Sequence, residues 1–113
     1  MELTEYQTLA QRTSSGKSKL NLPPDMTRLL NGAVGLNGEG GEVIDIVKKH
    51  IFQDHDLDQE KLLDEAGDCL WYLAELAAGM HTTLEEIAWH NVEKLRERYP
   101  QGFSAERSRN REI

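Results

Sequence analysis

The sequence has a single cysteine and fewer basic than acidic residues, and both scarcities exclude classes of protein. One thiol, Cys69, cannot form an internal disulfide, and because it lies on an apolar helix face we expect it to be buried. Thirteen basic residues against twenty acidic ones give a net charge of −7. General binding to nucleic acid needs a basic surface, so no nucleic-acid partner is expected.

Long apolar runs and a basic N-terminus are also absent. No apolar run is long enough to span a bilayer, and Glu2 and Glu5 stand where a signal peptide needs basic residues. We therefore expect a cytoplasmic protein without a membrane partner. A chain of 113 residues fits one domain with a modest core. We place this domain at residues 1–103, followed by a polar tail at residues 104–113.

Apolar residues recur at helical spacing, and no stretch of useful length alternates as a strand does. The pattern predicts an all-α fold with four helices, at Leu3–Arg12, Met26–His50, Gln59–Ala78 and Leu84–Arg98. Asp25 or Thr27 is expected to cap the second helix, Asp58 the third and Thr83 the fourth. Gly79 is expected to follow the end of the third helix.

Glycine is frequent within the second predicted helix, at positions 32, 35, 38, 40 and 41. Each glycine costs about 1 kcal/mol relative to alanine in a helix interior, so another contribution must offset that cost. Gly32, Gly35, Gly38 and Gly41 recur every three residues, which indicates either the close approach of another helix or a break. We expect a continuous helix.

Two short acidic motifs of the same shape lie in the middle of the chain. The first holds Glu39 and Glu42, the second holds Glu65 and Asp68, and the members of each pair are three residues apart. That spacing puts both carboxylates on one helix face, and both pairs border the apolar face of their helix. Such acids meet when the two apolar faces pack. Because clustered carboxylates repel one another unless a hard cation lies among them, the motifs predict a metal site.

Two other kinds of metal site fail on their ligand patterns. An EF-hand loop beginning at Asp54 would need glycine at its sixth position, where Gln59 stands. A carboxylate-bridged di-iron bundle needs Glu-x-x-His motifs, and no histidine here has glutamate three residues before it. Four acids without a cysteine or histidine ligand set fit Mg²⁺, which is the expected cofactor, with Mn²⁺ as a substitute.

The fourth predicted helix carries polar residues within and beside its apolar face. Asn91 lies inside the apolar stripe, and Lys94 and Arg98 lie along its edge. These side chains either hydrogen-bond and snorkel within the fold or face the acidic site as donors to phosphate oxygens. Tyr72, one turn beyond Asp68, either packs in the core or stacks on a base.

Together, these motifs resemble the MazG-like all-α nucleoside triphosphate pyrophosphohydrolases. The signature of that family is E-x-x-E, a variable spacer and E-x-x-D, followed on a later helix by Asn and Lys. Here it is matched by Glu39, Glu42, Glu65, Asp68 and the stretch Asn91-Val92-Glu93-Lys94-Leu95-Arg96-Glu97-Arg98-Tyr99-Pro100. Segments 29–36 and 67–72 are also similar, so the resemblance covers residues 5–103.

The resemblance implies Mg²⁺-dependent cleavage of a nucleoside triphosphate between its α and β phosphates, as in house-cleaning of the nucleotide pool. It implies that Glu39, Glu42, Glu65 and Asp68 are the catalytic metal ligands. Asn91, Lys94, Arg98 and Tyr72 are the expected substrate contacts. Many relatives carry a further Glu immediately before the first motif, where Gly38 stands here. The general base and the preferred nucleotide therefore stay open.

An acidic helical module that binds a basic partner without catalysis is the alternative function. Cation-dependent release of pyrophosphate would exclude it. Four amphipathic helices in so short a chain are expected to leave apolar surface uncovered. The sequence therefore predicts a bundle completed by oligomerisation, as a homodimer or homotetramer.

Overall fold

The computed structural model describes residues 1–111, and this part of the chain forms five helices. They are α1 (Leu3–Gln11), α2 (Pro24–Phe52), α3 (Gln59–Gly79), α4 (Leu84–Arg98) and α5 (Ala105–Arg109). No strand occurs within residues 1–111, so the all-α prediction is confirmed. Among these residues, no helix combines the length and the apolar character needed to cross a membrane.

The helix α2 begins earlier than predicted, at Pro24. Proline suits the first turn of a helix, because the N–H that it lacks would have no partner there. Pro23 precedes the helix and provides no side-chain cap, so the prediction that Asp25 or Thr27 caps α2 is wrong. Both lie inside the first turn, where the hydroxyl of Thr27 donates to the carbonyl of Pro23 at 3.1 Å.

The caps predicted for α3 and α4 are confirmed. Oδ1 of Asp58 accepts a hydrogen bond from the backbone N–H of Lys61 at 3.0 Å. Oγ1 of Thr83 accepts one from the N–H of Glu86 at 3.1 Å. Each cap satisfies an N–H group that has no partner within its helix.

The end of α3 differs from the prediction, because Gly79 lies within the helix. His81 instead adopts the left-handed conformation that ends the helix, with φ of 57°. The N–H of Thr82 donates to the carbonyl of Ala77, and that of His81 to Ala78, as in a Schellman motif. The close approach of α2 explains why position 79 is a glycine. A Cβ there would lie 2.9 Å from the backbone nitrogen of Leu29.

The pair formed by α2 and α3 is antiparallel and tightly packed at two further glycines. A Cβ on Gly32 would lie 2.8 Å from the backbone nitrogen of Leu76, and one on Gly35 would lie 2.1 Å from the Tyr72 ring. The predicted continuous α2 is therefore confirmed, and close helix approach explains these two glycines. It does not explain those at positions 38, 40 and 41, where a Cβ would meet nothing within 4 Å.

The small core lies between α1, α3 and the first turns of α4. Ala10, Ala74 and Leu84 are buried at its centre. Trp71 packs against them, and its Nε1 donates to the hydroxyl of Thr13 at 2.8 Å, which ties α3 to the end of α1. Cys69 is half-buried rather than buried as predicted.

Much of the predicted apolar surface stays exposed within one copy of the chain. Ile44 of α2 is 69% exposed, while Ile46, two residues further along the helix, is buried. Val92 and Leu95 of α4 are also exposed. The radius of gyration is 17.2 Å, whereas a compact domain of 100 residues has about 13 Å.

The polar tail predicted at residues 104–113 contains the short helix α5. Ser104 caps it by accepting from the N–H of Arg107 at 3.3 Å. The guanidinium of Arg107 donates to the backbone carbonyls of Glu97 and Arg98, which lack partners at the end of α4. The predicted tail residues 112 and 113 lie outside the described part of the chain.

Candidate metal centre and nucleotide site

The register of α2 against α3 brings the two acidic motifs together. Gly35 faces Tyr72 across the helix pair. Because the helices are antiparallel, moving four residues along α2 to Glu39 corresponds to moving four residues back along α3 to Asp68. Side chains four apart lie on the same helix face, so the glycine contact that sets the register also places these acids opposite each other.

Three of the four predicted acids form a cluster. Glu39, Glu65 and Asp68 can each offer one carboxylate oxygen, and these oxygens lie within 4.8 Å of one another. Glu42 lies one turn along α2 and is exposed. It is not part of this group of three, but its charge acts on Glu39.

The crowding of negative charge raises the pKa of the Glu39 carboxyl to about 7. The largest cause is a hydrogen bond with the Glu65 side chain, which holds a proton between the two groups. Partial burial and the charges of Glu65, Asp68 and Glu42 raise the pKa further. Near pH 7 the Glu39 carboxyl therefore exchanges a proton, and a cation bound at the cluster would compete with that proton.

No basic side chain neutralises the cluster within residues 1–111, since none of the ion pairs there includes Glu39, Glu42, Glu65 or Asp68. Lys48 and Lys49 of α2 pair with Asp45 instead. The donor set consists of carboxylate oxygens, which are the ligands that Mg²⁺ and Mn²⁺ prefer. The residues of the cluster thus fit a hard divalent cation.

Two aromatic side chains lie beside the cluster. The Tyr72 ring packs over Gly35 and lies edge-on to Trp71, with ring centroids 5.1 Å apart. It is therefore engaged in packing between the helices. Tyr6 of α1, which the sequence reasoning missed, has a raised pKa because it is partly buried and because the charge of Asp68 acts on it.

The predicted substrate residues of α4 are not joined to the acidic cluster. Asn91 is exposed and Lys94 is half-buried, on a helix that packs against α1 and α3. No hydrogen bond or ion pair within residues 1–111 links α4 to α2. Arg98 lines a separate cavity between the end of α4 and α5, and none of the four acids lines that cavity.

A buried carboxylate, Glu75, is the functional candidate that the sequence reasoning placed no weight on. It is only 2% exposed and lies on α3 seven residues beyond Asp68, and so on the same face. Ser14 and Gln11 donate to its Oε1 at 2.8 and 3.2 Å, and Asn31 donates to its Oε2 at 2.7 Å. The signal in the sequence is one charged residue within the apolar run from Leu73 to Ala77.

Glu75 also lines a cavity of about 340 Å³ between the loop after α1 and the first half of α2. The loop contributes residues 15–18 together with Leu20 and Leu22, and α2 contributes Asn31 and Val34 among others. Seven helical residues separate Glu75 from Asp68, which is about 10 Å along the axis of α3. The cavity therefore lies next to the acidic cluster on the same helix pair.

Comparison with known proteins shows the family of the chain. The sequence profile of the MazG nucleotide pyrophosphohydrolase domain matches residues 30–103. The Gene 37 protein of Mycobacterium phage L5 is 39% identical over 74 residues, which cover 61% of this chain and 64% of that protein. The chain thus matches slightly less than two thirds of that relative's length. No solved structure gave a significant match. The profile match extends over more than half of the chain and includes all four acids, so the chain belongs to the MazG nucleotide pyrophosphohydrolase domain family.

Proposed function

We propose that this protein is a Mg²⁺-dependent nucleoside triphosphate pyrophosphohydrolase that releases a nucleoside monophosphate and pyrophosphate. The observation that carries the proposal is the cluster of Glu39, Glu65 and Asp68, within the part of the chain that the MazG profile matches. Such a cluster suits a cation that binds substrate phosphates, because Mg²⁺ retains free positions when only a few carboxylates hold it.

The four acids have the role of holding the cation. Glu39, Glu65 and Asp68 supply the three oxygens that lie together, and Glu42 supplies a further carboxylate from one turn along α2. A bound cation would neutralise phosphate charge and would lower the pKa of a water that it coordinates. The helix pair keeps the carboxylates in place, because the Gly35 contact leaves no room for α2 to slide against Tyr72.

Gly38 bears on how water is activated in this chain. Many relatives have glutamate at this position, but here the backbone carries no side chain and the adjoining space is open. We therefore propose that water is activated by the cation alone, without a carboxylate that orients it. Gly38→Glu places its Cβ in open space, and it should raise kcat if a water-orienting group is what this site lacks.

Asn91 and Lys94 are proposed to contact the nucleotide phosphates from a second copy of the chain. Within one copy, α4 has no hydrogen bond or ion pair with α2 across residues 1–111, and its apolar residues Val92 and Leu95 are exposed. A second copy that covers this surface would bring its own α4 toward α2. A homodimer or homotetramer is accordingly proposed, with Arg98 and Tyr72 as further substrate contacts.

The experiment that tests this function is a screen of ribo- and deoxynucleoside triphosphates with and without Mg²⁺. The products are identified by phosphorus NMR. Monophosphate and pyrophosphate should appear only with the cation, and Glu42→Gln should reduce the rate because it removes a charged oxygen. A protein that binds Mg²⁺ but leaves every triphosphate intact would instead fit the non-catalytic acidic module.

A further inference from the structure

The cavity beside Glu75 differs chemically from the acidic cluster. Its apolar wall is built from Leu20, Leu22, Leu30 and Val34. Its polar lining comes from both the helices and the loop and consists of Thr27, Asn31, Glu75, Ser15, Lys17 and Ser18. A volume of about 340 Å³ lies at the lower end of the range for pockets that bind small molecules. The cavity is therefore suited to a small, partly apolar group with a few polar atoms.

The hydrogen bonds of Glu75 determine which atoms face that group. Each recorded partner of its carboxylate is a donor, namely Gln11, Ser14 and Asn31, with the guanidinium of Arg28 at 4.0 Å. Most of these donors are directed to Oε1, and Oε2 has one partner, Asn31. An ionised carboxylate oxygen can accept two hydrogen bonds. One acceptor position on Oε2 thus remains.

The orientation of Asn31 follows from the same contact. Since its Nδ2 donates to Glu75, its Oδ1 must point elsewhere, and this oxygen has no hydrogen bond among residues 1–111. The hydroxyls of Thr27 and Ser18, which also line the cavity, already donate to the carbonyls of Pro23 and Leu20. The helix side of the cavity therefore offers acceptors, and the free donors, such as the Lys17 ammonium, come from the loop.

We propose that this cavity binds the base of the nucleotide and selects a base in which an amino group adjoins a ring nitrogen acceptor, as in cytosine and adenine. The amino group donates to Oδ1 of Asn31 and to Oε2 of Glu75. The neighbouring ring nitrogen accepts from the loop. This inference rests on the proposed function, because a base in the cavity and phosphates at the acids must belong to one molecule.

Uracil and hypoxanthine would bind poorly for a physical reason. Each presents a carbonyl oxygen where cytosine or adenine presents the amino group. Two acceptors would then face each other without a proton between them, and the remaining acceptor position of the buried Glu75 would stay unpaired. Such an unmatched buried polar contact costs about 1–3 kcal/mol, or roughly 5- to 150-fold in affinity.

The test compares substrates that differ only at this position, dCTP with dUTP and dATP with dITP. We expect kcat/KM to be at least roughly tenfold higher for the amino member of each pair. Equal values within both pairs would overturn the inference, as would a preference for dUTP and dITP.

Glu75→Gln provides a sharper test, because it replaces one acceptor oxygen of the side chain with an amide donor at almost constant shape. The new amide donates to Oδ1 of Asn31, which turns the Asn31 Nδ2 toward the cavity. The preference should then fall to near unity or reverse in favour of dUTP. An unchanged ratio in a folded Glu75→Gln protein contradicts the assignment.

If Glu75→Gln does not fold, Asn31→Ala takes its place, since the Asn31 side chain is exposed. This variant removes one acceptor and should reduce the dCTP to dUTP ratio mainly through KM. Asn37→Ala is the control, because Asn37 is also exposed on α2 but does not line the cavity. Equal effects of the two alanine substitutions would contradict the inference.

Binding of CMP and UMP without any divalent cation separates this inference from the proposed function. Calorimetry should show tighter binding of CMP by roughly tenfold or more. Selective binding without hydrolysis of any triphosphate would leave this inference standing and defeat the proposed function. Hydrolysis of triphosphates with equal kcat/KM for the two members of each pair, together with equal binding of CMP and UMP, would support the proposed function and defeat this inference.

Discussion

At the scale of single residues, the chemistry of Glu39 follows from its neighbours. A glutamate near three other carboxylates holds a proton up to about pH 7, because each neighbouring negative charge disfavours its ionised form. A cation must displace that proton in order to bind. Mg²⁺ affinity should therefore depend on pH in the range where Glu39 titrates.

The sign of this dependence follows from the direction of the pKa shift. Below about pH 7 the Glu39 carboxyl is protonated, so apparent Mg²⁺ affinity should fall about tenfold per pH unit as pH decreases from 7 toward 5. Above pH 7 it should level off. Calorimetric titrations across this range check the prediction, and an affinity that stays constant between pH 5 and 7 would contradict it.

The stability of the metal-free protein should change in the opposite direction. A carboxyl whose pKa is higher in the folded state, about 7 against 4.5, stabilises the fold at low pH, and this contribution is lost as pH rises from 4.5 to 7. Glu39→Gln removes the repulsion, so it should raise Tm at pH 8 without metal and abolish the further rise caused by Mg²⁺. A Tm below that of the unmodified protein would count against the account.

Residue types and spacing predicted that the acids of α2 and α3 come together, but they did not predict the burial of Glu75. The spacing of three between Glu39 and Glu42, and between Glu65 and Asp68, is visible in the sequence. The burial of Glu75 depends on donors that come from α1, the following loop and α2. No local pattern indicates that these distant segments meet at one carboxylate.

At the scale of elements, the glycines of α2 show where sequence periodicity misleads. The recurrence every three residues indicated either the close approach of another helix or a break, but of these four glycines only Gly32 and Gly35 lie against α3. The sequence does not distinguish them from Gly38, because the distinction depends on the crossing point of the two helices. The long continuous helix itself was predictable from its amphipathic pattern.

Alanine substitutions separate the two kinds of glycine. Gly35→Ala places a methyl group 2.1 Å from the Tyr72 ring, so it should destabilise the fold by about 1–3 kcal/mol and disturb the register that aligns the acids. Gly38→Ala meets open space and should stabilise α2 by about 0.5–1 kcal/mol. Denaturant unfolding of both variants measures the difference, and similar effects would show that the close contact at Gly35 does not control packing.

The polar residues of α4 are tested by a matched pair of lysines. Lys94→Ala should lower kcat/KM by roughly 100-fold, the size expected when a charged contact to the reacting group is lost in a shielded site. Lys61→Ala removes an equal charge from an exposed position in the first turn of α3 and should be nearly silent. Equal losses would indicate a general electrostatic effect and refute the assignment of Lys94.

At the scale of the whole molecule, one copy of the chain leaves too much apolar surface exposed. Ile44, Ile51 and Leu63 are each more than half exposed, and such surface is usually covered by another molecule. Amphipathic periodicity predicts which residues are apolar, but it cannot say which of them pack within the chain. That division depends on tertiary packing and on the partner.

Mixing two inactive variants tests whether the second copy contributes to the site. If α4 acts on the acids of its partner, dimers formed from Lys94→Ala and Glu42→Gln chains contain one site with neither substitution. Their activity should approach half of that of the unmodified dimer, whereas each variant alone stays inactive. Absence of recovery in verified mixed dimers would place Lys94 and the acids in the same chain, and a monomeric mass by light scattering would refute oligomerisation.

The central claim is that the acidic cluster between α2 and α3 performs cation-dependent pyrophosphate release. The most direct test uses a triphosphate that the unmodified protein hydrolyses with Mg²⁺. The rate of pyrophosphate release from it is measured for the Asp68→Asn and the Asp64→Asn variants. Asp68 belongs to the cluster, whereas Asp64 is an exposed aspartate on the same helix outside it. Asp68→Asn should lose more than roughly 100-fold in rate, since even residues that only support metal ligands cost 10- to 100-fold, and Asp64→Asn should retain full activity. Normal pyrophosphate release by a folded Asp68→Asn protein would contradict the account.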